Sequence, residues 1–163
     1  MPLVAALSYS NDIKGTNSRA DIAGEDTSEM SEVYEYEHKI YAPIDLNTGT
    51  VQGARVHGAL GVTKPVDTAT APLYQALCWA ETLDELILHF FRVDPSGGGT
   101  LEEFWTITME GVKVASVRPH LPNVKDESLL NVPLMEDVEF LFNKITCTHV
   151  EGFELTDEWS TPV

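Results

Sequence analysis

Residues Glu136–Val150, with the sequence EDVEFLFNKITCTHV, carry the strongest strand pattern in the chain. Every second residue from Val138 to Phe142 is large and apolar, and a period of two is typical of a β-strand. The intervening positions include Leu141, which indicates that both faces of this strand are at least partly covered. The segment therefore predicts a central strand of an all-β domain.

Shorter strand patterns lie elsewhere in the chain. They are Leu3–Leu7, Val33–Tyr41, Val51–His57, Glu103–Met109 and Val112–Val117. Residues 8–32 are polar and acidic, and they predict a long loop after the first strand. Several short strands joined by Gly- and Pro-rich turns, such as residues 95–99 (PSGGG), are typical of a barrel or a sandwich. The predicted architecture is a small two-sheet β-barrel or β-sandwich.

One short α-helix is predicted at about residues 72–81. Pro72 suits the first helical position because its φ is already fixed. The apolar stripe that follows at helical spacing is Leu73, Ala76, Leu77 and Ala80. The end of the helix stays open, since Leu83 and Ile87 continue the stripe whereas residues 86–93 also have strand character.

The charge balance restricts the partners. The chain has 163 residues, about one domain, and 26 acidic against 10 basic residues give a net charge of −16. Such a surface repels phosphate backbones and anionic headgroups, so we expect neither nucleic acid nor membrane insertion. The early apolar run Leu3–Leu7 is too short for a signal peptide. We predict one domain over residues 1–163, made in the cytoplasm.

The pattern of reactive side chains predicts no catalytic, cofactor-binding or metal-binding residues, no cofactor and no enzymatic activity. The five histidines, at positions 38, 57, 89, 120 and 149, lack the spacing of metal ligands. In an alternative, folding brings His38 and His57 together with an acid. Acidic pairs such as Asp157-Glu158 are expected by chance in an acid-rich chain, and Gly97-Gly98-Gly99 lacks the Lys-Ser/Thr of a phosphate loop.

The two cysteines, Cys78 and Cys147, form neither a metal-binding pattern nor a disulfide framework. Cys78 follows Leu77 in the predicted helix, and Cys147 lies in the strand pattern. Both are predicted to be unbridged, buried thiols that behave as small apolar side chains.

A projecting hairpin is predicted around Asp45-Leu-Asn-Thr-Gly49, whose residues favour a turn. The strands Val33–Tyr41 and Val51–His57 on either side can anchor it in the barrel. The turn residues between them have little apolar surface to bury, so the tip is expected to be exposed.

The segment from Ala42 to Leu77 has a specific order of residues: Asp45, Thr48-Gly49, Gly53, Arg55, His57, Thr63-Lys64, Asp67 and Pro72-Leu73. Flanking matches are Ile13-Lys14-Gly15, Glu37-His38, Glu110–Val114, Val138-Glu139-Phe140, Lys144-Ile145-Thr146 and Trp159. With these residues the chain resembles the Hcp family, the haemolysin-coregulated proteins that form the inner tube of bacterial type VI secretion systems. It departs from the family at Ala71, where a Ser is usual, and at Cys147, where many members have Trp.

The resemblance implies a two-sheet β-barrel of which six copies close into a ring. It implies that the rings stack into a hollow tube, with a trimeric spike protein at its tip, and that a contractile sheath propels this tube. It also implies that the tube carries small effector proteins. Such a protein is secreted through the type VI system without a signal peptide. The hairpin residues implied to reach from ring to ring are Leu46, Asn47, Thr48 and Gly49.

A second class of function, a ligand-binding β-sandwich such as a carbohydrate-binding module, fits the predicted fold but has no motif to support it. The sequence stops at Val163, shortly after the last matching residue, so no toxic enzyme domain is expected after the barrel.

Overall fold

Two β-sheets that share one strand form the barrel of the described part of the chain, and one α-helix and three two-stranded ribbons are added to it. The computed structural model describes residues 3–159. The elements are β1 (Val4–Tyr9), β2 (Asp21–Ile22), β3 (Glu25–Asp26), β4 (Ser31–Val33), β5 (Glu35–Glu37), β6 (Ile40–Tyr41), β7 (Ile44–Asp45), β8 (Thr50–Val51), β9 (Val56–His57), β10 (Leu60–Pro65), α1 (Thr70–Cys78), β11 (Leu83–Val93), β12 (Leu101–His120), a 3₁₀ turn (Glu127–Leu129), β13 (Met135–Leu141), β14 (Lys144–His149) and β15 (Glu154–Glu158). The predicted all-β class with one short helix is confirmed.

Strand β12 belongs to both sheets. Its first half pairs with β11 on one side and β14 on the other, and its second half pairs with β13. The strand bends at Gly111, whose φ of 63° lies in the left-handed region that favours glycine. A Cβ here would lie 2.6 Å from Asn143 Nδ2. The prediction of two strands, ending at Met109 and restarting at Val112, is therefore wrong, because Gly111 bends the strand without ending it.

The segment Glu136–Val150 runs along β12 as two strands, β13 and β14, and the prediction of one uninterrupted strand is wrong. The interruption at Phe142 and Asn143 lies opposite the bend in β12, where the Asn143 N–H donates to the Glu110 carbonyl at 3.0 Å. Phe142 is buried, as the alternation predicts. A period of two shows which face of a strand is apolar, but it carries no information about a bend in the neighbouring strand.

The two sheets close on each other through the consecutive strands β4 and β5. β4 pairs with β1 in the first sheet, and β5 pairs with β10 in the second. Tyr34 lies between them and donates its N–H to the Thr63 carbonyl at 2.8 Å. The wall of the barrel runs in the order β4-β1-β11-β12-β13-β10-β5, and β14 and β15 extend the first sheet beyond β12. The predicted strand Val33–Tyr41 is thus three short strands with different partners.

The barrel interior is filled by apolar side chains from both sheets. Leu7, Leu60, Leu88 and Phe140 are fully buried there, and each such side chain contributes about 1.5–3 kcal/mol. A smaller cluster of Ala6, Ile22 and Phe91 lies under residues 8–32. The predicted loop therefore contains a short hairpin, β2–β3, which Ile22 holds against the sheet.

Helix α1 spans Thr70–Cys78, which is earlier at both ends than the predicted 72–81. Asp67 Oδ1 accepts the Ala69 N–H and Thr70 Oγ1 accepts the Asp67 N–H, both at 3.0 Å, an exchange that resembles a capping box. At the other end Ala80 has a φ of 53°, and the Glu81 N–H reaches back to the Ala76 carbonyl at 2.9 Å. This closing turn ends the helix, so Leu83 and Ile87 belong to β11.

Cys78 is exposed, which contradicts its predicted burial. The helix buries Leu73 and Ala76, and Cys78 lies two positions, about 200°, away from Ala76 around the helix. Cys147 is half-buried, and both thiols are free. Within residues 3–159, no helix has both the length and the apolar character that a membrane crossing requires.

Candidate assembly site

A two-stranded ribbon, which we name the arm (residues 39–58), continues the β5–β10 pair away from the barrel. Within it β6 pairs with β9 and β7 pairs with β8. At its root the Gly58 N–H donates to the Lys39 carbonyl at 2.8 Å. From Ile40 to Asp45, at about 3.3 Å per residue, the arm extends roughly 17 Å before its turn.

The arm exposes apolar side chains along its length. Their exposed fractions are 49% for Ile40, 46% for Tyr41, 59% for Ile44, 87% for Leu46 and 64% for Val51. An isolated two-stranded ribbon is only marginally stable in water. Among the described residues, the arm strands β6 to β9 pair only with each other. The arm therefore offers apolar surface and free strand edges to a partner.

The predicted site residues Leu46, Asn47, Thr48 and Gly49 lie together at the end of the arm, and all four are exposed. Asp45 shapes this turn, because its carboxylate accepts the Asn47 N–H and its carbonyl accepts the Gly49 N–H, both at 2.8 Å. Gly49 has a φ of 67°, a conformation that glycine adopts without strain.

The root of the arm is attached to β15 by the anchor cluster, which consists of Arg55, His57, Asp157 and Trp159. The Arg55 guanidinium donates through Nε and Nη2 to the Asp157 carboxylate, and Nη2 also donates to the Glu158 carbonyl at 2.8 Å. His57 Nε2 lies 2.7 Å from Asp157 Oδ2, and its ring packs on Trp159 at 5.4 Å between centroids. The Arg55 guanidinium beside Asp157 lowers the pKa of that carboxyl to about 2.

His38 and Phe142 complete the packing around His57. The two imidazole rings are nearly parallel, with centroids 5.7 Å apart, and Phe142 meets His57 edge-on. Burial, together with the nearby His57, lowers the pKa of His38. The structure therefore contains the alternative arrangement, in which His38 and His57 lie together with an acid, Asp157. No His, Cys, Asp and Glu side chains in residues 3–159 are grouped to hold a metal.

A cleft of about 300 Å³ lies beside the anchor cluster. Its apolar lining comes from Ile40 on the arm and from Ile145, Cys147 and Leu155 on the sheet. The charged groups at its edge, Arg55 and Asp157, are paired with each other. Burial raises the pKa of the Cys147 thiol, so the thiol stays protonated and weakly nucleophilic near neutral pH.

Comparison with known proteins establishes the family. The family model described as "Type VI secretion system effector, Hcp" matches residues 8–149, most of the chain. The chain belongs to the Hcp family. A relative named "Major exported protein" from Pseudomonas aeruginosa strain PAO1 is 32% identical over 129 residues, which cover 78% of this chain and 74% of that protein.

Solved Hcp structures have the same fold. The Hcp1 protein of E. coli EAEC 042 is 28% identical, with a TM-score of 0.79 over 98% of this chain and 99% of that one. The secreted protein Hcp3 of Pseudomonas aeruginosa is 22% identical, with a TM-score of 0.69 over 98% and 99% of the two chains, and supports the fold alone. The family places this Hcp chain in type VI secretion.

Several residues that carry the Hcp resemblance form polar or ring contacts, which the sequence pattern does not reveal. Arg55, His57 and Trp159 belong to the anchor cluster. A second group, the Lys64 network, consists of Lys64, Asp67, Glu136 and Thr70. Lys64 Nζ lies 2.7 Å from Asp67 Oδ1 and 2.6 Å from Glu136 Oε1, and none of the three charged side chains is more than 6% exposed.

The Lys64 network joins three parts of this Hcp barrel. It links β10 to β13 through Glu136, and it links both to the start of α1, because Thr70 Oγ1 donates to Glu136 at 2.9 Å. Asp67 also accepts the Thr16 N–H at 3.1 Å, which holds the loop of residues 8–32. The network therefore fixes the helix and the loop on the barrel.

Ser8, His89 and Glu103 form a row of hydrogen bonds across β1, β11 and β12 of the Hcp chain. Ser8 Oγ lies 3.1 Å from His89 Nε2, and His89 Nδ1 lies 2.7 Å from Glu103 Oε2. The order of contacts matches a Ser–His–acid triad. Four clefts of 250 to 590 Å³ in residues 3–159 are lined by other residues, and none of the four borders the row. We assign it to sheet stabilisation.

Proposed function

We propose that this chain is a structural subunit of the type VI inner tube, acting as one domain over residues 1–163 and without enzymatic activity. Six copies close into a ring, and the rings stack into a hollow tube. The observation that carries the proposal is the arm, a ribbon with exposed apolar side chains and free edges that residues 3–159 leave uncovered. Family membership supports the same function.

The partners in this proposal are further copies of the chain, a trimeric spike protein at the tip of the tube, a contractile sheath around it and small effector proteins inside it. The subunit is made in the cytoplasm and then exported through the type VI system without a signal peptide. The strongly acidic composition, a net charge of −16, supports solubility of a protein made in large amounts.

The purified protein is expected to run in native mass spectrometry at about six times the monomer mass of 18.0 kDa. Heterologous contacts between identical subunits close into rings when the rotation is favourable. A monomer at micromolar concentration and ordinary salt would contradict the proposal and favour a ligand-binding β-sandwich instead.

The tip of the arm is proposed to contact the next ring. Replacing Leu46 and Thr48 together with Asp is expected to leave the ring mass unchanged and to lower stacking and secretion about tenfold or more. The added charges must be desolvated against an already acidic neighbour. A cost of about 1.4 kcal/mol is sufficient to lower the stacking equilibrium constant tenfold. Secreted protein and ring mass are measured side by side.

A matched control adds two charges to a different exposed turn, with Ser96→Asp and Gly98→Asp between β11 and β12. This variant is expected to secrete normally. Normal secretion of the Leu46 and Thr48 variant would remove any role for the tip in stacking. Loss of its ring would mean that the tip lies at the contact within the ring.

A further inference from the structure

Helix α1 presents an uncharged face to solvent. From Thr68 to Ala80 the chain has no charged residue, although 22% of all residues are charged. Trp79 is 70% exposed, Tyr74 is 36% exposed, and Cys78 is exposed beside them. Cysteine is among the side chains most often found buried, and an exposed tryptophan beside it forms an apolar patch. This face has the composition of a surface that is buried when the protein is assembled.

The cleft beside the anchor cluster has matching properties. Its volume of about 300 Å³ is at the lower end of sites that hold a small ring system. Ile40, Ile145 and Leu155 supply apolar walls, and the charges of Arg55 and Asp157 at its edge cancel. The cleft can therefore receive an aromatic side chain without burying an unpaired charge.

Electrostatics favour a second copy of the chain as the occupant of this cleft. Two copies with a net charge of −16 each repel over most of their surfaces, so close approach costs least where both surfaces are neutral. The face of α1 and the cleft are two such surfaces. They share no residue, so joining them gives a heterologous contact, the kind that closes into rings.

We propose that Trp79 of one copy packs into the cleft between the arm root and β15 of the next copy in the ring. This proposal rests on the proposed ring assembly and names one contact between neighbouring copies within the ring. Tryptophan buries about 150–250 Å² in such a position and is enriched among the residues that dominate interfaces. Because Ile40 lines the cleft, the same contact also fixes the root of the arm.

The test uses Cys147 in the cleft as a partner for a cysteine at position 79. In a variant with Cys78→Ala and Trp79→Cys, kept at protein concentrations high enough to hold the ring together, the short thiol crosslinker bismaleimidoethane at mildly alkaline pH is expected to give linked chains up to the hexamer on denaturing gels, because its spacer replaces the reach lost with the indole. Adding Cys147→Ala is expected to abolish every linked form. Separately, Trp79→Ser should shift the dissociation of the ring on dilution to about 30-fold higher concentration or more, whereas Trp79→Phe should shift it far less.

The outcomes separate this inference from the proposed function. A wild-type monomer in native mass spectrometry overturns the ring itself. A ring that forms without the 79–147 link, or that links equally after Cys147→Ala, overturns the Trp79 contact alone. Phe153→Ser, which removes another aromatic side chain that is 82% exposed, is expected to leave dissociation unchanged. An equal shift in that control would also overturn the contact. Thermal unfolding of each variant verifies that the barrel is intact.

Discussion

Replacing Lys64 with methionine is expected to lower the free energy of unfolding by about 3–5 kcal/mol, the range for breaking a buried ion pair by removing one partner. Lys64 is 0% exposed and lies within 2.7 Å of both Asp67 and Glu136. Without its ammonium group, two carboxylates face each other in the interior with no cation between them. Chemical denaturation monitored by circular dichroism measures the loss.

Two comparisons make this result specific. Lys125→Met changes an exposed lysine in the same way, and it is expected to change stability by less than about 0.5 kcal/mol. Combining Lys64→Met with Asp67→Asn and Glu136→Gln removes the uncompensated charges, so part of the lost stability should return. A Lys64→Met protein as stable as wild type would show that the network contributes nothing.

Replacing Asp157 with alanine is expected to release the root of the arm. Arg55 and His57 both lose their carboxylate partner, and hydrogen bonds to charged groups contribute about 1.5–3 kcal/mol. Because Arg55 is no longer held, trypsin is expected to cleave after it many times faster than in wild type. Glu154→Ala, on the same strand, is the control and should leave the cleavage rate unchanged. Equal cleavage of the two variants would mean that Asp157 does not hold the arm.

The same carboxylate makes the anchor dependent on pH. Its pKa in the folded protein is about 2, below the ordinary value of about 3.9, so the ionised form is favoured by folding. Its contribution is complete above about pH 5 and is lost progressively as the pH falls to about 1. The stability difference between wild type and Asp157→Ala is therefore expected to narrow progressively between about pH 5 and pH 1. A difference that persists unchanged at pH 2 would contradict this assignment.

The sequence was sufficient for the fold class and for the projecting hairpin. Local patterns carry this information, since Val138, Phe140 and Phe142 alternate over one face and Asp45 to Gly49 have turn chemistry. The helix was also predicted, but Pro72 was predicted to be its first residue, whereas the helix begins at Thr70. The capping exchange begins upstream at Asp67, and Pro72 needs no N–H within the first turn.

What the sequence could not reveal depends on contacts between distant residues. His57 and Asp157 are 100 residues apart, and their pairing follows only from the position of β15 beside the arm root. The Lys64 network likewise joins Asp67 to Glu136 across two strands. Local spacing could have given one hint, because Arg55 and His57 are two apart and so project from the same face of a strand.

The place of β1 in the barrel wall has a consequence for synthesis. Ser8 lies opposite Ile87, 79 residues further along the chain, so β1 has no β11 to pair with until that segment has been made. At about 5–20 residues per second, ribosomes need roughly 4–16 s for this interval. The β5–β10 hairpin is local and can form in the meantime. One edge of the apolar N-terminal strand can pair with the nearby β4 soon after synthesis, but its other edge stays open until β11 has been made, and during this interval it is exposed to chaperones.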